Sequence, residues 1–370
     1  HKLIGRKSLD ASGASTEKAK KKKIGIIGSG IAASSAAYAV AQNGANVEIF
    51  ESTDDIAGGA SGNPVAAMYP RFSANNSPYS FLTAQGYFFA EKIYTQLPSA
   101  YRKTGLLFSH SNDYQEQWIL DMQNLNRADL FEIINKKKMK QLYGFESHGL
   151  LVKEGGYLFP KLICKEMITH PNIKVSYNHC FENWFKNKSK IDIQFINQEK
   201  KSGFDVLIIA NGPSLRQYLS GLKISKGQLV GLKGDQPIDL DLPINSAGYI
   251  LPKVDEITWI GSTHEREFEN MDVCLEAGHE LIKRTNKNFD ITLAGIDSMV
   301  MKANYRVGSK DRLPLAGKIE ENIYAIGSLG SRGFSLGPIL GEHVASLINN
   351  SPSPISSGIA LAVEPLRFKD

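Results

Sequence analysis

Cysteine is scarce in this chain of 370 residues: Cys164, Cys180 and Cys274 are widely spaced, odd in number and without a Cys-x-x-Cys pair. That spacing argues against a disulfide framework and against a thiolate zinc site. The three are expected to be inert buried thiols in a reducing cytoplasm. No apolar run approaches 18 residues, so no membrane span is expected. The start is polar and basic rather than apolar, so no secretory signal is expected and a cytoplasmic setting follows. The eight histidines show no metal-ligand spacing, and no metal is expected. Acidic charge is short only at the front. Residues 1–23 hold eight Lys/Arg and two acids, leaving 35 of 43 basic and 36 of 38 acidic residues for the rest. The net charge of +5 therefore sits in that stretch, and the body is near neutral. Whole-chain basicity is thus poor evidence for nucleic-acid binding, although a local basic face stays open. Residues 1–23 lack hydrophobic periodicity and are expected to be a flexible basic tail or an interdomain linker. The chain begins at His1, as expected of a processed protein or a piece of a longer one.

The remainder has the length and apolar content for two domains. Its first apolar run, Ile24-Gly25-Ile26-Ile27, ends in Gly28-Ser29-Gly30-Ile31-Ala32-Ala33. A small-residue helix is expected over 34–43, then a strand, Val47-Glu48-Ile49-Phe50, closed by Glu51. Strand, glycine turn, helix, strand and acid in that order form the dinucleotide-binding pattern. Gly28 permits the tight turn, Gly30 lets a pyrophosphate approach the backbone, and Ala33 lets helix and strand pack closely. The helix N-terminus offers N–H groups and a positive dipole end to phosphates. Glu51 is placed to accept a hydrogen bond from a ribose hydroxyl.

Residues 56–64 are mostly small, as a wall against a large flat ligand must be. A helix is expected over 76–97, a strand over 105–109 and a polar helix over 113–126. Lys136, Lys137, Lys138 and Lys140 form a second basic cluster, read as solvated surface. A helix over 161–169 and a β-meander over 173–195 follow. Residues 204–210 are almost continuously apolar, as in a parallel strand buried on both faces, and end at Asn211-Gly212. Short β segments over 225–263 suggest an antiparallel sheet in a second domain, followed by a helix over 272–287. The chain then returns to the first domain through a strand at 323–326, a second glycine-rich loop at 327–338 and a helix over 338–349.

Two distant glycine loops, the small-residue stretch and an interleaved β-rich region favour FAD over NAD. Here the chain resembles the D-amino-acid-oxidase-like flavoproteins, which include glycine and sarcosine oxidases. Several residue groups give a finer resemblance: Ala60-Ser61-Gly62-Asn63 with Met68-Tyr69-Pro70, Gly155-Gly156-Tyr157-Leu158, Gly248-Tyr249, Arg306 with Asp311 and Leu313-Pro314, and Leu329-Gly330-Ser331-Arg332-Gly333. These are similar to the FAD-dependent oxidoreductase domain of the MnmC family of bifunctional tRNA wobble-uridine modification enzymes. The resemblance implies a mixed α/β fold: a Rossmann-type FAD-binding domain (24–78, 146–222, 301–350) interleaved with an antiparallel β-rich substrate domain (79–145, 223–300), then a C-terminal tail (351–370).

It also implies oxidation of the carboxymethylaminomethyl side chain of a tRNA wobble uridine, releasing glyoxylate and leaving an aminomethyl-uridine. A methyltransferase normally precedes this domain in the family; residues 1–23 resemble none. FAD is expected to be held by Gly28, Ser29, Gly30, Ile31, Ala32, Glu51 and Ser52; by Gly59, Ala60, Ser61, Gly62, Asn63, Ala67 and Met68; and by Phe181, Ala210, Asn211 and Gly212. The second loop adds Gly330, Ser331, Gly333, Phe334 and Ser335. Arg306 is the expected clamp for a substrate carboxylate, because a guanidinium binds one bidentately. Tyr249 is expected to assist it or close the pocket, and Arg332 to touch flavin or substrate; core packing and loop bracing stay open for these two. Arg71, Arg102, Lys103 and the lysine cluster could rim a tRNA site. A free amino-acid oxidase and a flavin-bearing tRNA-binding protein without oxidase activity are the competing readings.

Overall fold

The computed structural model describes residues 21–71, 77–110, 113–125, 127–238, 240–246 and 248–368. The expected tail over 1–20, the helix start at Asn76 and the helix end at Asn126 lie outside these residues. No helix among them is long and apolar enough to cross a membrane.

The first layer is a six-stranded sheet in the order Leu315–Glu320, Ile323–Gly327, Val206–Ile209, Lys23–Ile27, Asn46–Phe50, Ile173–Ser176. Its pairings are parallel except the edge strand Leu315–Glu320. Alternation sends Ile24, Ile26, Ile49 and Ile208 to one face, under the helices Ile31–Gln42 and Gly333–Asn349. Ile27, Phe50, Leu207 and Ile209 go to the other face, under the meander Phe181–Asn187, Lys190–Phe195, Lys200–Phe204. All four residues of Val206–Ile209 are buried, as a strand covered on both faces requires. The chain leaves Lys23–Ile27 on one side and returns beside it as Val206–Ile209 on the other. This reversal opens a crevice at the strands' carboxyl ends, the place where such sheets bind ligands.

The closing helix begins at Gly333, not at Pro338 as the proline suggested. Proline inside a helix leaves the carbonyl four residues earlier without its N–H partner. Here that carbonyl, on Phe334, accepts from the hydroxyl of buried Tyr94 at 2.9 Å. The tolerated proline thus lets the helix N-terminus reach the glycine loop.

The second layer is an eight-stranded sheet in the order Val300–Ser309, Leu222–Lys233, Ile257–Gly261, Tyr249–Ile250, Ile244–Asn245, Leu106–Ser109, Gly149–Val152, Phe131–Ile134. The amphipathic helix Leu275–Phe289 buries Leu281, Ile282 and Phe289 against it. Packing crosses three of the expected boundaries. Gly149–Val152, expected in the FAD-binding domain, pairs with Leu106–Ser109 and Phe131–Ile134 in the second sheet. Val300–Ser309 pairs along its whole length with Leu222–Lys233, so the strand carrying Arg306 belongs to this sheet. Helix Pro78–Tyr94 buries Leu82, Tyr87, Ala90 and Tyr94 in the core of the first layer.

Most of the expected C-terminal tail is docked. Residues 357–362 form a helix, the Ala316 N–H donates to the Val363 carbonyl at 2.9 Å, and Arg367 pairs with both oxygens of Asp311 (2.8 and 3.0 Å). Burial works to raise the Asp311 pKa, but hydrogen bonds from Arg367, Ser309 and the Leu313 N–H outweigh it and bring it down to about 2. A depressed carboxyl stabilises the fold above its unfolded pKa, and the gain is lost as pH falls through the folded value. Asp311→Asn should therefore lower the urea midpoint at pH 7 by the equivalent of about 1 kcal/mol. The gap to wild type should narrow as pH falls below the usual carboxylate range and through about 2; a gap independent of pH would contradict this account.

Candidate functional site

The crevice continues into a cavity of about 460 Å³ that runs from the first glycine turn to the second sheet. Gly28 sits at its sheet end with φ +97°, and a Cβ there would lie 2.7 Å from the Ala210 carbonyl oxygen. Only glycine suits both the backbone angle and this approach of two strand ends. Glu51 closes the second strand. Its Oε1 accepts from the Ser52 hydroxyl and from the N–H and hydroxyl of Thr53, and its Oε2 from Ser29 Oγ at 2.5 Å. Each carboxylate oxygen has two acceptor positions, and among the described residues Oε2 accepts only from Ser29, so it keeps room for a hydroxyl donor from the cavity. Ser61 comes from the small-residue stretch and accepts from the Ile31 N–H at 2.9 Å, which caps the first helix. Gly30 allows this, since a Cβ would stand 3.1 Å from Ser61 Oγ. The small residues around Ser61 thus build the mouth of the helix as well as a wall.

Two buried polar atoms, Asn211 Oδ1 and Ser328 Oγ, lack a partner among the described residues, and both residues line the cavity. An elongated cleft with a glycine turn, a helix N-terminus, an acid at the second strand and unsatisfied polar atoms in its wall fits FAD.

At the far end, the strand Val300–Ser309 turns alternate residues toward the first layer. Lys302 donates to the Gly62 carbonyl, the Asn304 and Asn63 amides meet at 2.8 Å, and Arg306 enters the cavity. The Arg306 guanidinium donates to Ser262 Oγ and lies 3.5 Å from His264 Nδ1. Among the described residues no carboxylate pairs with it. Burial lowers its pKa and the neighbouring Tyr249 opposes that shift. Burial raises the Tyr249 pKa, against the pull of Arg306 and Ser262. His264 is held below the usual imidazole range by burial and then by the charges of Arg306 and Arg266. Two glycines make room for this group. A Cβ on Gly227 would lie 2.6 Å from Arg306 Cζ, and one on Gly261 2.5 Å from the Tyr249 hydroxyl. The result is an unpaired cation beside a phenol and an imidazole, in a partly dehydrated pocket: a receptor for a small carboxylate.

Of the residues expected at the cofactor, Gly62, Met68 and Ser335 do not line the cavity. Met68 points into the helix-side core, Ser335 is buried inside the closing helix, and Gly62 meets Ala57 and Lys302 instead. The others expected there do line it. Of the three expected at the substrate, Arg306 and Tyr249 line it. Arg332 does not: its guanidinium lies over the Tyr69 ring, 5.3 Å from the centroid. Sequence reasoning missed Ser262 and His264, which come from a loop paired across the sheet, and also the lining residues His179, Cys180 and Tyr305.

Of the thiols, Cys164 is buried, its pKa pushed up to about 12 by burial. Cys180 is exposed and Cys274 half-buried, contrary to the expectation of three buried thiols. Four of the seven residues of the expected basic rim are ion-paired: Lys136 with Glu116, Lys138 with Glu132, Lys140 with Glu146, and Lys103 with Glu91 and Glu154. Glu116 also meets His148 and His110, a grouping assembled from separate segments that no local spacing signals. Its pKa falls to about 2 through hydrogen bonds from His148 and Lys136. The Lys136 ammonium sits on the same carboxylate oxygen as the imidazoles, so the grouping is an ion-pair hub.

Residues 23–347 match the FAD dependent oxidoreductase family known as DAO. Two curated relatives carry the name tRNA 5-methylaminomethyl-2-thiouridine biosynthesis bifunctional protein MnmC. The chain is 25% identical to the one from Campylobacter jejuni subsp. doylei, over 94% of its own length, and 25% identical to the one from Hahella chejuensis, over 93%. It spans 59% of the length of each of these relatives. Among solved structures, glycine oxidase from Geobacillus kaustophilus superposes with a TM-score of 0.79 at 16% identity, covering 95% of this chain and 100% of that one. Iminodiacetate oxidase from Chelativorans sp. BNC1 gives 0.77 at 18% identity, covering 92% and 98%.

Proposed function

This chain belongs to the FAD-dependent oxidoreductase family, and we propose that its substrate is the carboxymethylaminomethyl side chain of a tRNA wobble uridine. The observation that carries this reading is Arg306, a dehydrated guanidinium without a carboxylate partner among the described residues, at the end of the cavity opposite the Gly28 turn. The names of the curated relatives supply the tRNA.

Gly28, the Ile31–Gln42 helix N-terminus and Glu51 would hold the ADP half of FAD, and Asn211, Ser328 and the 330–334 loop its remainder. Bound flavin supplies the two-electron acceptor for a C–H bond next to nitrogen. Arg306 binds the glycine carboxylate through its fork, with Ser262 and His264 holding the guanidinium plane. Tyr249 presents a protonated phenol to the same carboxylate. Clamped there, the glycine unit has its α-carbon fixed with one C–H free to leave as hydride. Dehydration of the pocket favours the neutral amine, whose lone pair is needed as the C–N double bond forms. Loss of the hydride and of the N–H proton gives an imine. Water then splits it into glyoxylate and a primary amine that stays on the nucleoside. A methyltransferase would be the consumer of that amine.

Incubation of the flavin-loaded protein with tRNA carrying 5-carboxymethylaminomethyl-uridine should release glyoxylate, one per modified nucleoside. The ion-paired lysines favour a second reading, a free N-substituted glycine as substrate, since they reduce the free basic charge where a tRNA rim was expected. Glyoxylate from a free N-substituted glycine and none from tRNA would establish that second reading.

A further inference from the structure

We infer that His110, Glu116 and His148 form a zinc-binding site on the second sheet, apart from the FAD cavity and independent of the substrate proposed for it. None of the three lines the cavity. Glu116 Oε1 lies 2.8 Å from His148 Nδ1 and 3.5 Å from His110 Nε2, and the three residues bring one ligand atom each to within 4.8 Å of one another. Ligand atoms on a tetrahedral zinc, each about 2.0–2.2 Å from the ion, stand about 3.4 Å apart. Small side-chain rotations therefore close the set around an ion. Two imidazoles and a carboxylate, with a fourth position for water, are a donor set of open zinc sites; magnesium and calcium prefer oxygen alone.

The fold assembles the site. Leu106–Ser109 and Gly149–Val152 pair antiparallel up to Ser109 opposite Gly149, so the next step of the register sets His110 opposite His148. The hydroxyls of buried Ser109 and Ser147 share a 2.9 Å hydrogen bond that fixes this end of the pair. Glu116 comes from the helix Asp113–Asp121. That helix is held on the sheet by Ile119, buried in a cluster with Phe131, Leu150 and Val152, and by Trp118 against Phe108, 5.4 Å between ring centroids. A cation already occupies the spot: Lys136 Nζ lies 3.0 Å from the same Oε1. It is held weakly. Its side chain is 54% exposed, against 16%, 23% and 25% for His110, Glu116 and His148. It also opens the helix Lys136–Tyr143, whose dipole repels positive charge at that end. Zinc displaces the ammonium into water and takes its place. The Glu116 carboxyl, with its pKa at about 2, is ionised at neutral pH, as a ligand must be. The Nδ1 proton that His148 donates to Glu116 moves to Nε2 when Nδ1 takes the ion.

The test is zinc binding by the flavin-loaded, tag-free chain, measured by competition with a chromophoric chelator. Zinc should raise the melting temperature of the wild type, as a ligand of the folded state does, and magnesium should not. Hydrogen exchange should slow with zinc in the helix Asp113–Asp121, the element that the ion ties to the sheet. Glu116→Gln and His148→Ala should each weaken zinc binding by at least about 10- to 100-fold, the loss that even an outer-shell partner brings. Lys136→Ala should tighten it by up to about fivefold, the worth of the exposed ion pair that competes with the ion. Lys137→Ala, the same change of charge one residue on, should leave it at the wild-type value. A variant that merely misfolds cannot give the tightening expected of Lys136→Ala. The site is overturned if the wild type binds no zinc, if both ligand variants bind it as the wild type does, if exchange in that helix is unchanged by zinc, or if Lys136→Ala binds no tighter than Lys137→Ala. None of these readouts depends on the substrate, so the oxidase reading stands or falls separately.

Discussion

Arg306→Ala should retain bound flavin yet lose roughly 30- to 150-fold in kcat/KM, equivalent to about 2–3 kcal/mol for a hydrogen-bonded charge partner. The expectation follows from where the guanidinium sits. Its holders are Ser262 and His264, both neutral at pH 7 by their chemistry and surroundings, and burial has already removed part of its hydration. A substrate carboxylate therefore replaces little competing interaction and gains a fork-shaped partner. Arg306→Lys should recover only part of the loss, since an ammonium restores the charge without the two parallel donors. Steady-state oxidation of an anticodon stem-loop carrying the modified uridine, with flavin content read from the visible spectrum, measures both. Near-wild-type turnover in the alanine variant would remove Arg306 from the substrate site.

The second large effect concerns the other end of the cavity. Gly28→Ala should yield protein with little or no bound flavin. The backbone at this position has φ +97°, and the added Cβ would lie 2.7 Å from the Ala210 carbonyl oxygen. Keeping the turn costs about 1–2 kcal/mol in backbone strain alone, before the steric clash. Relieving it parts the ends of the strands Lys23–Ile27 and Val206–Ile209, and with them Ser29 and Asn211. Either route weakens the cradle, so FAD affinity should fall by roughly tenfold or more. The melting temperature should fall as well and recover in part with added FAD, as expected of a ligand that binds the folded state. Full flavin occupancy with an unchanged melting temperature would contradict this role for the turn.

The two ends of the cavity differed in how far the sequence disclosed them. The Gly28 turn was legible because its function lies in local backbone: strand period, glycine spacing and the acid after the second strand fall within thirty residues. Residues 204–210 were legible for a similar reason, since burial on both faces leaves an unbroken apolar run. The Arg306 end is assembled across the sheet. Ser262 and His264 reach the guanidinium from 44 and 42 residues away, and Gly227 and Gly261 matter only because their missing Cβ atoms make room for side chains of other strands. No periodicity records such a pairing. Pro338 misplaced the start of the closing helix because its compensating donor, Tyr94, lies 240 residues from the carbonyl it satisfies. Arg332 sits in a loop where an arginine suits a ligand, but Tyr69 takes its guanidinium. The docking of the C-terminal segment rests on long-range contacts, among them the Ala316–Val363 backbone bond, the ion pair with Asp311 and Phe368 packing against Gly221, which composition alone does not reveal.

The central claim is that the Arg306 end of an FAD cavity receives a glycine unit attached to tRNA. Anaerobic mixing of the flavin-loaded protein with the modified anticodon stem-loop tests it most directly. The account predicts that flavin absorbance bleaches in a single turnover, that one equivalent of glyoxylate appears, and that Arg306→Ala bleaches far more slowly at the same stem-loop concentration. A flavin that stays oxidised with the stem-loop and bleaches with a free N-substituted glycine would contradict it.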